Sequence, residues 1–542
     1  MTGASVQLER GDLQGGILEA YSRTGFPHAR ALLFEVGTSV ADSAAGRAFV
    51  ATLLPLVTAA TPWAKPGQPP GPGEVARPLA TLNLAFTFWG LWALDVPTRT
   101  LRGLPDPFID GMAVRAPILG DDIGANRMEA GDHGPGWDPV WHIDRGSPRR
   151  VHILALLHGA PGADGAPHPA FEALTARIIA LAAGTQGAVR LLEGHRGADP
   201  RFQDMAALSD SGPDGRPRFR STEHFGFEDG IGNPVFEGQY PPAKLAERVP
   251  GQGAVDGEGR WRPLRTGEFI LGWPDEGQEV ATIGLPLDFS RNGTLLALRK
   301  LHQDIAGWDA WVDARAAELQ RLWSLDSLEI ARETLLARMA GRWRDGIPLV
   351  RAPDWASWQA ERACLAGMTP AERQRYLTVF TFSGDLDGRA CPLTAHIRRA
   401  NPRDMLDPLA RADNPRDRLG SVLNDRRRIL RRGLPYGHRD DAHGEHGIVL
   451  IAYCTDLARQ FEFVQQQWMN YGLDFDAGND SCPIVGAHRP GDRFVMSSPD
   501  PGKPPFLAGG LPQFVTTRGG DYFFQPSMTA LRMIAHGLVD PT

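Results

Sequence analysis

An α+β fold made of two similar halves is what this sequence predicts, and three observations predict it. The chain has 542 residues, more than one hydrophobic core usually organises, so two domains are expected. Residues 1–200 alternate strand-like and helix-like segments in the order βαββαβ. The remainder repeats that theme less plainly, around a long Ala/Leu/Glu/Arg-rich insertion.

Ala31 to Val36 reads as a strand, Ser43 to Val57 as an amphipathic helix and Thr81 to Phe88 as a second strand. The uncharged run Leu79 to Leu94 falls short of the roughly 20 apolar residues of a membrane span and carries Thr81, Asn83 and Thr87, so it reads as a strand followed by a short buried helix. After a Gly/Pro-rich passage, Val151 to Leu157 is a third strand, Pro169 to Ala183 a helix and Ala188 to Glu193 a fourth strand, which completes the ferredoxin-like order. The connections over 65–78 and 101–148 are long for a compact domain, as functional or wrapping loops are. Farther on, Phe269 to Trp273, Thr294 to Arg299, Thr378 to Phe382 and Gly447 to Cys454 read as strands, and Leu457 to Met469 as an amphipathic helix. Trp308 to Trp343 reads as one or two inserted helices. The expected division is an N-terminal ferredoxin-like domain over 1–200 and a C-terminal one over 201–542, with the insertion around 308–343.

A net charge of -7 and a pI near 6.1 provide no global field for nucleic acid or an acidic membrane, so neither is an expected partner. Cys364, Cys391, Cys454 and Cys482 are too widely spaced for a CxxC metal site and too few for a disulfide scaffold. They read as thiols in a reducing compartment. The first ten residues lack the basic start, apolar stretch and small-residue cleavage site of a signal peptide, so a cytoplasmic location is expected.

Three segments carry candidate chemistry. Gly226-Phe-Glu-Asp229-Gly230-Ile231-Gly232-Asn-Pro234 sets two carboxylates among three glycines ahead of a proline, on backbone that suits close approach to a ligand. His396 lies between Pro392 and Pro402 with Arg398, Arg399 and Arg403 close by, a pairing of imidazole and guanidinium that suits a cofactor with both a metal and carboxylates. Arg431 precedes the turn Gly433-Leu-Pro435, where it either aims inward or caps a helix end facing solvent. A fourth segment, His438 to His446, holds three histidines and three carboxylates, but no apolar framing orients them, and it reads as a solvated loop rather than a metal site.

Taken together, Gly226-x-x-Asp229-Gly230, His396-Ile-Arg398 and Arg431-x-Gly-x-Pro-Tyr-Gly437 resemble the dye-decolourising peroxidases, a haem family. Asp12-Leu-Gln-Gly-Gly16, Gly267 to Gly272, Asn292 to Leu296, Arg299 to Asp304 and Gly520 to Pro526 agree, so the resemblance spans nearly the whole chain and points to the larger, soluble, bacterial-like members. It implies two ferredoxin-like domains of the dimeric α+β barrel type, with one haem b per chain held mainly by the C-terminal domain. His396 becomes the iron ligand, Asp229 and Arg431 the distal catalytic pair, Arg398 a propionate partner, and Gly230, Ile231, Gly232 and Phe463 haem contacts. One departure stands out. Where the family usually has an aspartate able to accept a hydrogen bond from the proximal histidine, this chain has Cys482-Pro-Ile-Val-Gly486, with Asp480 two residues earlier. Either Asp480 reaches back or His396 has a different partner.

The implied reaction uses hydrogen peroxide to oxidise dyes, phenols and other aromatic reductants through a ferryl intermediate. Asp229 would move the peroxide proton and Arg431 would stabilise the developing anion. An ordinary aspartate has a pKa of about 3.9, so an acidic rate optimum is expected. Bulky dyes do not fit a pocket sized for peroxide, so their electrons would enter at the surface. The alternative is a haem-handling protein with incidental peroxidase activity, although storage needs no distal acid and arginine.

Overall fold

The computed structural model describes residues 6–65, 67–121, 136–142, 150–212, 215–245, 262–406, 422–440 and 444–539. Its main sheet, wholly antiparallel, has ten strands among the described residues. In the first half, β1 (His28–Val36), β2 (Ala80–Phe86), β3 (Ile153–Gly159) and β4 (Val189–Leu191) lie in the order β2-β3-β1-β4, and β5 (Gln203–Ala206) extends the sheet beside the start of β1. In the second half, β6 (Thr294–Gln303), β8 (Leu434–Tyr436), β9 (Gly447–Cys454) and β10 (Val515–Gln525) lie in the order β8-β9-β6-β10, while β7 (Leu430–Arg431) pairs with the far end of β9. Both halves therefore place their second, third, first and fourth strands side by side, the ferredoxin-like topology. They join where Phe524 faces Phe86, and the hydrogen-bonded path does not close into a barrel among the described residues.

Every residue of β1 is buried, as are eight of the ten in β6, so these strands appear as apolar runs rather than as alternation. Helix α1 (Val40–Leu53) starts at a capping box between Ser39 and Asp42. Helix α2 (Pro169–Ala183) starts with Pro at its first position, where no amide partner is needed, and Gly184 follows it. The insertion forms α3 (Ile305–Trp323), capped by Asp304, and α4 (Leu328–Ala340), capped by Ser327 and ended by Gly341 at φ +87°.

Two expected strands are absent. Phe269, Ile270 and Leu271 are fully buried in tight turns, where the first two amides donate to Thr266 O and the third to Gly293 O. Burial rather than pairing accounts for that apolar run. Thr378 ends a helix, and the amides of Phe382 and Ser383 donate to the Asp404 carboxylate at 2.7 and 3.0 Å, which replaces a strand partner. Beyond the expectations, α5 (Trp355–Ala366) and α6 (Pro370–Thr378) follow the insertion, each opened by a capping box, and β10 continues through Gly519 and Gly520 by way of a bulge. The segment Leu457–Met469 is helical but wound as two π-helical stretches.

Candidate functional site

A cavity of about 650 Å³ opens between the loop at 226–233, the start of α7 (His396–Ala400), the ends of β7 and β9, and the π-helical segment. Asp229, Gly230, Ile231, Gly232, His396 and Arg431 all line it.

The loop is held by its own carbonyls. Arg23 donates to Asp229 O at 2.6 Å, Arg431 Nη2 to Ile231 O at 2.9 Å and Arg428 Nη2 to Gly232 O at 2.8 Å. Gly230 (φ +71°) and Gly232 (φ +81°) adopt left-handed backbone, and a Cβ on Gly230 would collide with the Arg23 guanidinium. Asn233 fixes the opposite side of this contact: its amide nitrogen donates to Arg431 O at 3.2 Å and its oxygen accepts from Arg431 N at 3.1 Å. These bonds leave Arg431 Nη1 3.5 Å from Asp229 Oδ1, so a carboxylate and a guanidinium share one cavity wall.

Across the cavity, His396 sits in the first turn of α7. Arg399, fully buried, ties this turn down by donating to Leu393 O, Trp468 O, Tyr471 O and Asp480 O. The His396 Nδ1 lies 3.4 Å from Cys482 Sγ, and Nε2 has no hydrogen-bond partner among the described residues. Burial pushes the imidazole pKa down to about 4, helped by Arg431 and opposed by Asp229, so the ring is neutral. Burial also pushes the Cys482 thiol up. Cys482 is therefore the partner that the sequence left open. Asp480 contributes only its carbonyl, to Arg399.

Two expected contacts lie elsewhere. Arg398 is fully buried in an ion pair with Asp385 at 2.6 Å, with its guanidinium over the Phe382 ring, and it does not line the cavity. Phe463 packs on Trp468 beneath the Arg427 guanidinium, and Phe461, Val464, Gln465 and Met469 form that wall instead. The cations that do line the cavity include Arg342, Arg403 and Arg428, all buried. Burial lowers the pKa of each, and Arg342 and Arg428 lower that of Arg403 further. Arg428 Nη1 is buried with no hydrogen-bond partner among the described residues. Positive charge buried at the cavity edge suits a ligand with carboxylates. Arg403 was marked out by its place beside the His396 segment, whereas nothing in their spacing singled out Arg342, or Arg428 within the run Arg426 to Arg432.

The segment at 438–446 departs from the solvated-loop reading at its end. Asp441, Ala442 and His443 lie outside the described residues. His446 is buried, its ring 5.4 Å from those of His224 and His302, because its carbonyl accepts from Gln303 N where β9 joins β6. Among the described residues no group of three or more His, Cys, Asp or Glu side chains is arranged to hold a metal ion.

An apolar cavity lined by a neutral histidine, an acid, an arginine and further buried guanidinium groups fits a planar metal macrocycle bearing carboxylates, the kind of group that haem proteins hold. Residues 381–480 match the family model of the C-terminal part of Dyp-type peroxidases. Peroxidase 2 of Mycetinis scorodonius is 27% identical over 98% of this chain and 88% of its own length, and a dye-decolorizing peroxidase of Exidia glandulosa is 31% identical over 57% of this chain and 55% of that protein. The fold matches that of an ancestral D-type dye decolorizing peroxidase with a TM-score of 0.68 at 24% identity, covering 97% of this chain and 99% of that one. It also matches a dye-decolorizing peroxidase in complex with 2,6-dimethoxyphenol, with a TM-score of 0.66 at 22% identity over 97% of this chain and all of that one. The chain is thus similar over nearly its whole length to the dye-decolourising peroxidases, which are haem enzymes.

Proposed function

We propose that this peroxidase binds one haem b per chain in the cavity, with His396 Nε2 as the iron ligand, and uses hydrogen peroxide to oxidise phenols, dyes and other aromatic reductants. Bound there, the haem supplies the iron that receives peroxide and the capacity to take up oxidising equivalents. Asp229 would take a proton from peroxide and return it to the departing oxygen. Arg431, whose Nη1 lies 3.5 Å from Asp229 Oδ1, would stabilise the anion that develops there. Arg428, with Arg342 and Arg403, pairs with the propionates, in place of Arg398.

The observation that carries this reading is the neutral His396 ring facing the Asp229–Arg431 pair across one cavity. Three free buried thiols suit the cytoplasmic location expected from the sequence, and no described helix is long and apolar enough to cross a membrane. Division into domains at residue 200 accords with the repeated strand order.

Absorption spectroscopy on haem-loaded protein tests the proposal. A Soret band that shifts on adding peroxide, and weak haem retention in His396→Ala, are expected. Full haem retention in His396→Ala would exclude the ligand assignment, and a Soret band indifferent to peroxide would exclude the activity.

A further inference from the structure

Asp229 is carried on a short hairpin. Asp229 N donates to Ser221 O at 2.5 Å, Thr222 pairs with Glu228 as an antiparallel bridge, and Glu223 N donates to Phe227 O at 3.1 Å. Gly226, at φ +92°, lets the chain reverse between Glu223 and Phe227. This turn leaves the amides of Phe225 and Phe227 without a main-chain acceptor among the described residues, and the Glu223 side chain takes both. Oε2 accepts from Phe225 N at 2.8 Å and Oε1 from Phe227 N at 2.9 Å. Oε2 also accepts from Nε2 of Gln303, the last residue of β6, at 2.6 Å. One carboxylate therefore closes the hairpin and ties it to the sheet. Glu223 and Gln303 are both buried, and both line the cavity.

All three contacts reach Glu223 from N–H donors, which an ionised carboxylate accepts best. Burial raises its pKa, the bonds from Gln303, Phe225 and Phe227 oppose that rise, and the Asp229 carboxylate adds to it, so the two acids feel one another across the hairpin. The turn is also gripped through its side chains. Phe225 stacks on Trp308 of α3, with centroids 4.2 Å apart and planes at 17°, and Phe227 meets the same indole edge-on at 6.5 Å. His224 Nε2 lies 2.9 Å from Tyr436 O at the end of β8. Of these contacts the Glu223 carboxylate alone holds main-chain amides of the turn, and it is four residues from the second of them and six from Asp229.

We propose that Glu223 is a positioning residue for the peroxide reaction: by holding Phe225 N, Phe227 N and Gln303 Nε2 at once it sets where the hairpin presents the Asp229 carboxylate, and it acts on the rate through Asp229 alone. The inference rests on the proposed function, in which Asp229 moves the peroxide proton. A group misplaced by about 1 Å loses on the order of a hundredfold in rate, so a carboxylate that never touches peroxide can still govern the reaction.

The test is a double-mutant cycle on haem-loaded protein, read as the second-order rate constant for peroxide at the Soret band. Glu223→Gln keeps the side-chain volume and replaces one acceptor oxygen with a donor. Alone it is expected to lower the rate at least about tenfold with haem retained. In the Asp229→Asn background it is expected to change the rate by less than about twofold, because there is no carboxylate left to position. Gln303→Leu leaves the Glu223 carboxylate in place and cuts its tie to β6, and it is expected to show the same dependence on Asp229; if Glu223→Gln does not fold, Gln303→Leu decides by the same two comparisons. A rate in Glu223→Gln within about twofold of wild type overturns the role, as does an equal fold loss with and without Asp229, which marks a general disturbance of the site. Loss of the folded protein in both variants overturns it too, since Glu223 would then hold the fold rather than the acid. If wild type does not respond to peroxide, or Asp229→Asn alone reacts as wild type does, the proposed function fails first and this inference falls with it.

Discussion

Cys482 Sγ lies 3.4 Å from Nδ1 of His396, where it is the ring's only hydrogen-bond partner among the described residues. The sulfur is held there by its own backbone: Cys482 N donates to Met469 O at 2.7 Å, and Cys482 O meets His488 Nε2 at 2.9 Å. A thiol is a weak acceptor, so it draws little on the Nδ1 proton and leaves the imidazole a poorer donor to a metal than a carboxylate partner would. Cys482→Asp should therefore lower the Fe(III)/Fe(II) midpoint potential by about 60 mV or more, a tenfold change in a one-electron equilibrium. Spectroelectrochemical titration checks this, and an unchanged or higher potential would show that Cys482 does not tune the ligand.

Arg431 makes two directional contacts from one planar group, to Asp229 Oδ1 and to Ile231 O. Lysine can satisfy one of them only. In Arg431→Lys the peroxide reaction should slow at least about tenfold, equivalent to ~1.4 kcal/mol of transition-state stabilisation, while haem stays bound. Stopped-flow absorbance reads both. A rate within twofold of wild type would mean that charge alone suffices.

Arg428 combines a bond to Gly232 O with a buried Nη1 that lacks a partner among the described residues. If that nitrogen meets a propionate, Arg428→Leu should weaken haem binding at least tenfold in a haem-transfer assay, whereas Arg398→Leu should chiefly lower thermal stability, because its guanidinium is spent on Asp385. Equal haem affinity in Arg428→Leu and wild type would remove Arg428 from the haem site.

How far the sequence revealed these features depended on whether the signal was local. The βαββαβ order was legible in the first half because each strand and helix is short and bounded by turn residues, and Asp229, His396 and Arg431 were legible because each sits in a compact motif. Strand β10 was not, since Gly519 and Gly520 at its bulge interrupt the apolar pattern. Arg398 and Arg428 are both arginines close to a motif, and their roles are separated only by Asp385, thirteen residues from one and outside any motif. Phe461 and Phe463 differ by two positions, and a π-helical winding alters which of them faces inward. Cys482 was visible as a departure, but its distance to His396 depends on contacts made by Arg399 across four backbone carbonyls.

Acid should destabilise the protein before it titrates most carboxylates. Burial depresses His152 and His224 to about 4 and His158 to about 3, from an ordinary value of about 6.5. Because the folded state resists protonating these rings, the unfolded state binds more protons once pH falls below about 6.5. Their contribution is fully present above that value and is lost progressively as pH falls toward 4. Thermal melts should show a melting temperature constant from pH 7 to 8 and falling steadily from pH 6 to 4.5. A flat profile across that range would contradict the buried neutral assignment of these histidines.

Asp229 is proposed to move the peroxide proton in the cavity that His396 also lines. General acid–base catalysis of this kind contributes roughly 10²–10⁴-fold, so the direct test is the second-order rate constant for peroxide reacting with haem-loaded Asp229→Asn, followed at the Soret band by stopped flow. The account predicts a rate at least about a hundredfold below wild type with the resting spectrum preserved. A rate equal to wild type would contradict it.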